Sequence, residues 1–255
     1  HTSWSSNDAW PYDWSDLCNI VSGCTDSYAS NYDENATEDD GSCTGYPDNG
    51  NFSLQFGANK SVELGDLLDQ TAYTKTAWIK RSVYGSGYNN ILSGNSNHAF
   101  GAASERQYKL VGGHNSAWYT VEDSEPIPVD EWIFVAITYD PDVDSGTIKL
   151  YKNGQLVSTA LNIMPPNEDN NCYIGRYATG SNFYGHIDNV SLWHRALNEA
   201  EIALIMNDQE LSNGDNLVGQ WRFNAGDGDL AFDHSGNGNH GTILSAAWSE
   251  GHHTN

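Results

Sequence analysis

The residues best suited to chemistry in this chain are aromatic. Trp118 and Tyr119 stand in a polar, glycine-rich run (GGHNSAWYT), Tyr84 and Tyr88 flank one glycine turn, and Tyr177 and Tyr184 flank another. Sugar CH groups pack on a π face while a Tyr hydroxyl or Trp N–H supplies a polar handle. These side chains could therefore form glycan platforms, with ordinary strand packing as the competing use of each.

Hydrolytic chemistry finds less to work with. Glycosidases place two carboxylates across the scissile bond, and on a strand this requires acids aligned on one face. The dense acidic clusters, Glu122-Asp123-Ser124-Glu125 and the Asp140–Asp144 turn, read as loop charge. The sequence contains no G-x-S-x-G elbow, no Cys/His nucleophile pair and no H-E-x-x-H. Its nine His are scattered, and His252-His253 reads as a tail. No catalytic residue is assigned, and the chain is expected not to be an enzyme.

The charge narrows the partners. Thirty-four acids against 11 Lys and Arg give a net charge of −23, which repels nucleic acid and anionic membranes. Carboxylate and amide oxygens are hard ligands suited to Ca²⁺; solubility in a salty medium explains the same excess. Asp33 to Gly41 superficially resembles an EF-hand loop but lacks the Asp/Asn spacing and the terminal bidentate Glu, so a stapled acidic loop is expected. No stretch is apolar enough to span a membrane. A chain beginning at His1 fits a secreted, extracellular or cell-surface protein whose signal peptide has been removed. Sequons at Asn35, Asn51, Asn59 and Asn189 permit N-glycosylation where the machinery exists.

The elements that must position these groups are strands. Gly, Asn and Ser are abundant and only 18% of residues are charged, a composition of short strands joined by tight turns. Strands are expected at Asn51–Phe56, Lys75–Lys80 and Glu131–Tyr139, the last apolar on both faces and hence an inner strand. Thr147–Lys152 and Gln155–Thr159 flank Asn153-Gly154, the preferred type I′ pair, and form a hairpin. One short helix is expected at Glu199–Asn207, with Asn198 and Glu201 as a capping box and Leu197 with Ile202 as a hydrophobic staple. Leu217–Phe223 and Thr242–Trp248 read as the last two strands. The fold class is all-β: a two-sheet antiparallel jelly-roll sandwich, residues 49–255, behind an irregular acidic arm, residues 1–48.

Four segments carry a family resemblance. FSLQFGANKSVELGDLLDQTAYTKTAWIKR resembles the opening strands of laminin-G-like (concanavalin A-like) jelly rolls, and EWIFVAITYDPDVDSGTIKLYKNGQLV resembles their central hairpin. FYGHIDNVSLWHRALNEAEIALIM is similar to the closing strand and helix. LVGQWRFNAGDGDLAFDHSGNGNHGTILSAAWS resembles the segment that often completes such domains in secreted bacterial proteins. The resemblance implies Ca²⁺ at the sandwich edge, with ligands from Asp188 and from Asp233, Asn237 and Asn239. GCTDSYASNYDENATEDDGSC looks like a Cys-flanked acidic motif of secreted marine bacterial proteins, with Ser30 where a further Cys often stands.

Four Cys in a secreted chain favour disulfides. Cys24 and Cys43 bracket that compact motif and are expected to pair, leaving Cys18 and Cys172, though four Cys allow three pairings and sequence does not choose among them. Before them, Trp4, Trp10, Tyr12 and Trp14 lie in a segment of no regular pattern, and no Lys or Arg precedes Lys60. So much apolar surface must dock, on its own jelly roll or on a neighbouring copy. The leading expectation is a non-catalytic surface or filament subunit that assembles with copies of itself through this arm. The alternative is a calcium-dependent carbohydrate-binding module with extracellular glycans as partners.

Overall fold

The computed structural model describes residues 20–68, 72–83, 85, 87–178, 180–209, 211 and 216–252. The chain divides into two compact units between Gly45 and Tyr46.

The first unit has two short strands, β1 (Ser22–Gly23) and β2 (Glu38–Asp39), paired in parallel. Its centre is the Cys24–Cys43 disulfide with Ala29, all buried. The acids fold the loop through turn chemistry. The side chains of Asp26, Asp33, Asp39 and Asp40 each accept the backbone N–H two residues on, at 2.7–2.9 Å, the Asx-turn pattern. This is the stapled acidic loop the sequence indicates.

The second unit carries β3 (Phe52–Phe56), β4 (Ser61–Gly65), β5 (Tyr73–Arg81), β6 (Leu92–Gly94), β7 (His98–Ala103), β8 (Lys109–His114), β9 (Val121–Pro126), β10 (Trp132–Asp140), β11 (Thr147–Lys152), β12 (Gln155–Leu161) and β13 (Cys172–Ile174). It continues with β14 (Gly185–Trp193), helix α1 (Glu199–Met206), β15 (Leu217–Trp221), β16 (Leu230–Ala231), β17 (Gly241–Leu244) and β18 (Ala247–Glu250). An eight-stranded sheet runs β12-β11-β10-β5-β14-β3-β18, with β15 also on β14. A five-stranded sheet runs β16-β17-β4-β13-β6, and β7-β8-β9 form a third. All pairings in this unit are antiparallel.

The double apolar pattern of β10 has a direct cause. Ile133, Val135, Ile137 and Tyr139 face the main core between the sheets, with Leu54, Ile79, Leu92, Phe100, Ile174 and Ile187. The alternate residues Phe134 and Ala136 face outward, where Trp193, Leu197 and Ile202 cover them. Period-2 alternation sends the two sets to opposite faces, and helix α1 supplies the second cover. Its N-terminus is the expected capping box: Asn198 accepts from the Ala200 and Glu201 N–H groups, and Glu201 returns to the Asn198 N–H. Such a cap contributes about 1 kcal/mol.

Two expectations need correction. Thr242–Trp248 is not one strand: β17 pairs with β4 in one sheet and β18 with β3 in the other. The switch turns at Ser245, whose φ is 60°. Glu122–Glu125 is not a loop but lies within β9, and two of its three charges are neutralised by ion pairs. Glu122 pairs with Arg106 at 2.5 Å and Lys109 at 3.4 Å, while Asp123 pairs with Lys152. The β10–β11 turn was read correctly as loop charge: Asp140 accepts the Asp142 N–H at 3.0 Å.

Candidate functional site

Aromatic residues from three separate connections meet. Tyr88 comes from the β5–β6 connection, Trp118 and Tyr119 from the β8–β9 connection, and Tyr177 from the segment after β13. The Tyr88 and Tyr119 rings stack at 6.1 Å and 20°. Trp118 meets Tyr177 edge-on at 5.4 Å. All four are half-buried, so each keeps part of its ring toward solvent. Arg106 lies 5.1 Å over the Tyr119 ring, and the Tyr119 hydroxyl donates to Glu105. Burial raises the Tyr119 phenol, with hydrogen bonds to Glu105 and Tyr88 adding to it. Burial also raises Tyr177, followed by the charges of Asp169 and Tyr88. The neutral Tyr119 and Tyr177 phenols spend their protons on Glu105 and the Ser96 carbonyl, so toward a ligand their oxygens accept hydrogen bonds.

One buried carboxylate holds this loop region in shape. Asp169, 1% exposed, accepts the N–H groups of Asn95, Ser96, Asn97 and His98 at 2.7–3.1 Å. Gly94 makes the approach possible, since a Cβ there would lie 1.8 Å from Asp169 Oδ2. The loop so fixed presents the Ser96 carbonyl, which accepts the Tyr177 hydroxyl at 2.9 Å. Asn115 ties the β8–β9 connection to the chain before Asp169, donating to the Pro165 carbonyl and accepting the Asn167 N–H, both at 2.7 Å. Asn89, Tyr108, Asn115, Ser116, Ala178 and Ser181 have positive φ between 45° and 65°. Such strain in non-glycine residues persists only where surrounding contacts fix it, and it clusters at functional sites.

The sequence therefore singled out Trp118, Tyr119, Tyr88 and Tyr177 as platform residues, and the fold gathers them. Tyr184 lies apart, packed on the Gly85 backbone, and Tyr84 falls outside the described residues. So do Trp4, Trp10, Tyr12, Trp14 and Cys18, the residues on which arm-mediated assembly and the second disulfide depend. Cys172 has no disulfide partner among the described residues and is fully buried, which pushes its thiol up to about 12. Beside it burial lowers the Lys75 ammonium to about 8, against the opposing charges of Cys172 and Asp169. Of the sequons, Asn35 and Asn59 are exposed, while Asn51 and Asn189 are half-buried.

The residues expected to hold Ca²⁺ are otherwise engaged. Asp233 Oδ1 accepts from the Gln220 and Ser235 N–H groups, and its Oδ2 from the Asn239 N–H and the Ser235 hydroxyl, at 2.8–2.9 Å. Asn237 and Asn239 turn their amide donors onto the Leu217 and Val218 carbonyls. Asp188 faces His252. Among the described residues no three His, Cys, Asp or Glu side chains converge as a metal-binding group. A cation at Asp233 would have to displace the donors now on its carboxylate.

His252, read from the sequence as part of a tail, is a clamp. Its N–H and Nδ1 reach Asp188 Oδ2 at 3.0 and 2.8 Å, and its ring stacks on Trp78 at 4.6 Å. Burial alone would depress this imidazole, but the hydrogen bonds and charges of Asp188 and Asp208 raise it to about 9. A raised His contributes stability in full below its unfolded value near 6.5, and loses it as pH rises through the folded value. Accordingly, the melting-temperature gap between wild type and His252→Gln is expected to be widest below pH 6.5 and to close by about pH 9. A gap constant from pH 6 to 10 would refute the clamp.

Antiparallel sheets sandwiched over one core, the large sheet on one side and the five- and three-stranded sheets with it, define a jelly roll. The chain belongs to the concanavalin A-like lectin/glucanases superfamily, whose family model matches residues 49–203. No curated protein sequence matches it. Among solved structures it is similar to a Bacteroides ovatus protein assigned as carbohydrate-binding: TM-score 0.64, 19% identity, covering 79% of this chain and 60% of that one. It is also similar to a heptameric SAP-like pentraxin from Limulus polyphemus: TM-score 0.52, 14% identity, covering 79% of this chain and 96% of that one. At these identities the likeness is one of fold. No helix among the described residues is long and apolar enough to cross a membrane.

Proposed function

We propose that this protein is a non-catalytic, extracellular carbohydrate-binding module whose platform is Tyr88, Trp118, Tyr119 and Tyr177. The observation that carries this reading is the meeting of four half-exposed rings from three connections, braced from behind by Asp169. Rings supply surface for sugar CH groups, and the phenols supply hydroxyl partners at little entropic cost because their rotamers are already held. The superfamily and the carbohydrate-binding assignment of the Bacteroides ovatus protein point the same way. The non-catalytic part rests on Glu122 and Asp123 of β9 being spent in ion pairs. The net charge of −23 favours neutral glycans over polyanions. Arm-mediated assembly, the leading expectation from sequence, gains no supporting observation, because its residues lie outside those described.

Affinity electrophoresis through gels containing neutral plant or bacterial polysaccharides tests the proposal. At least one should retard the wild-type protein, with little dependence on NaCl. Each ring is worth about 0.5–1.5 kcal/mol, so Trp118→Ala with Tyr119→Ala should weaken retardation by roughly 5- to 150-fold. Retardation unchanged in the double variant would exclude this platform.

A further inference from the structure

A second feature lies on the outward face of the large sheet. Beside α1, β15 and the Asp233–Asn239 turn is a cleft of about 380 Å³, within the roughly 300–1,000 Å³ span of small-molecule sites. Its apolar lining is Trp193, Ile205, Leu211 and Leu217. Its polar lining includes Asn189, Gln209, Gln220, Arg222, Asn224 and Ser235.

The walls are built rather than incidental. β14 shifts register against β5 between Asp188 and Ser191, and within that bulge Asn189 takes a φ of 44°. Bulges re-aim side chains, and this one places Asn189 in the cleft lining. Its Nδ2 is held on Asp208 Oδ1 at 2.5 Å, while its Oδ1, sealed from solvent, accepts no hydrogen bond from the described residues. Gln220 Oε1 is oriented by Arg222 at 3.1 and 3.3 Å. The Asp233 turn, closed by its own hydrogen bonds, brings Ser235 to the wall.

This lining selects a ligand class. An apolar surface bordered by carboxamides and a hydroxyl matches a ring with one CH face and several hydroxyls. Arg222 and Asp208 carry opposite charges, and the remaining polar groups named are neutral. A polyanion would meet the chain's overall negative field. We propose that this cleft binds one neutral sugar ring, as a second site separate from the aromatic platform. The inference extends the carbohydrate-binding reading and makes the domain bivalent. Two modest sites on one rigid body raise the avidity for a glycan, or a surface, that reaches both.

Saturation-transfer NMR with individual free sugars tests it: glucose, galactose, mannose, xylose, arabinose and N-acetylglucosamine. Four proteins are compared: wild type, the platform variant Trp118→Ala with Tyr119→Ala, Gln209→Trp, and all three substitutions together. Gln209 is exposed at the mouth, so an indole there fills the cleft without touching the core, and melting curves check that each variant is folded. At least one sugar should receive saturation from wild type and from the platform variant, and should lose affinity at least tenfold when Gln209→Trp is added to the platform variant. The proposal is overturned if no sugar receives saturation, if the platform variant's signal survives the addition of Gln209→Trp, or if it vanishes in the platform variant alone. Polysaccharide retardation reads the platform independently. Its absence from wild type refutes the module reading, and its persistence in Gln209→Trp beside a lost cleft signal supports two sites.

Discussion

Replacing Asp169 with Asn is expected to destabilise the jelly roll by about 3–5 kcal/mol, the cost of breaking a buried, hydrogen-bonded charge network from one side. Asn is nearly isosteric, so packing is kept. Four backbone N–H groups, from Asn95 to His98, now share two carboxylate oxygens. With Asn, one oxygen becomes an NH₂ that faces donors instead of accepting from them. Buried groups left without acceptors cost about 1–3 kcal/mol apiece, and Lys75 loses a charge that helps hold its proton. For a domain this size, at about 2–4 °C per kcal/mol, the melting temperature should fall by roughly 10 °C. The same change should weaken polysaccharide retention below the melt, because Tyr177 hangs from the Ser96 carbonyl of that loop. A loss under about 1 kcal/mol, with unchanged retention, would show that Asp169 does not organise this region.

The second large effect is confined to the first unit. Cys24 and Cys43 close a loop of 19 residues. For a loop near that length the chain-entropy argument gives about 3 kcal/mol. The unit's other assets are few: a pair of two-residue strands, Asx turns, and one buried Ala. A core this small does not fold without a staple. Reduction, or Cys24→Ser with Cys43→Ser, should therefore unfold residues 20–45 and expose them to protease. The melt of residues 46–255 should stay within about 1 °C, because their core contains neither cysteine. A first unit that stays protease-resistant after verified reduction would contradict this.

The legible parts of the fold were those set by local rules. The hairpin at Asn153-Gly154 follows from two residues that tolerate positive φ, here 49° and 73°. The helix start follows from Asn198 and Glu201 at capping-box spacing, with Leu197 and Ile202 buried as the staple requires. The double apolar face of β10 announced an inner strand because its neighbours cannot hide it. What failed failed for non-local reasons. The strand read across Thr242–Trp248 is apolar apart from Thr242 and Ser245, and only the positions of β4 and β3 decide that its halves join different sheets. Glu122–Glu125 looks like a loop because its charge hides a strand, and the partners that neutralise it, Arg106, Lys109 and Lys152, lie 13 to 29 residues away.

The functional reading divides in the same way. Sequence alone determined an all-β frame, an acidic field hostile to polyanions, and aromatic rings beside glycine turns. It offered Trp118, Tyr119, Tyr84, Tyr88, Tyr177 and Tyr184 as candidate glycan contacts because Trp and Tyr in polar turns are conspicuous by type. It could not see that four of them meet, nor that Asp169, an unremarked acid in NEDNN, holds their loop. Nor could it show that His252 and Asp188, 64 residues apart, form one clamp, or that Asn189 and Gln220 face one cleft. Local propensity is written in neighbouring residues; a site is written in distances between residues far apart in the chain, and only the packing of the sheets sets those distances.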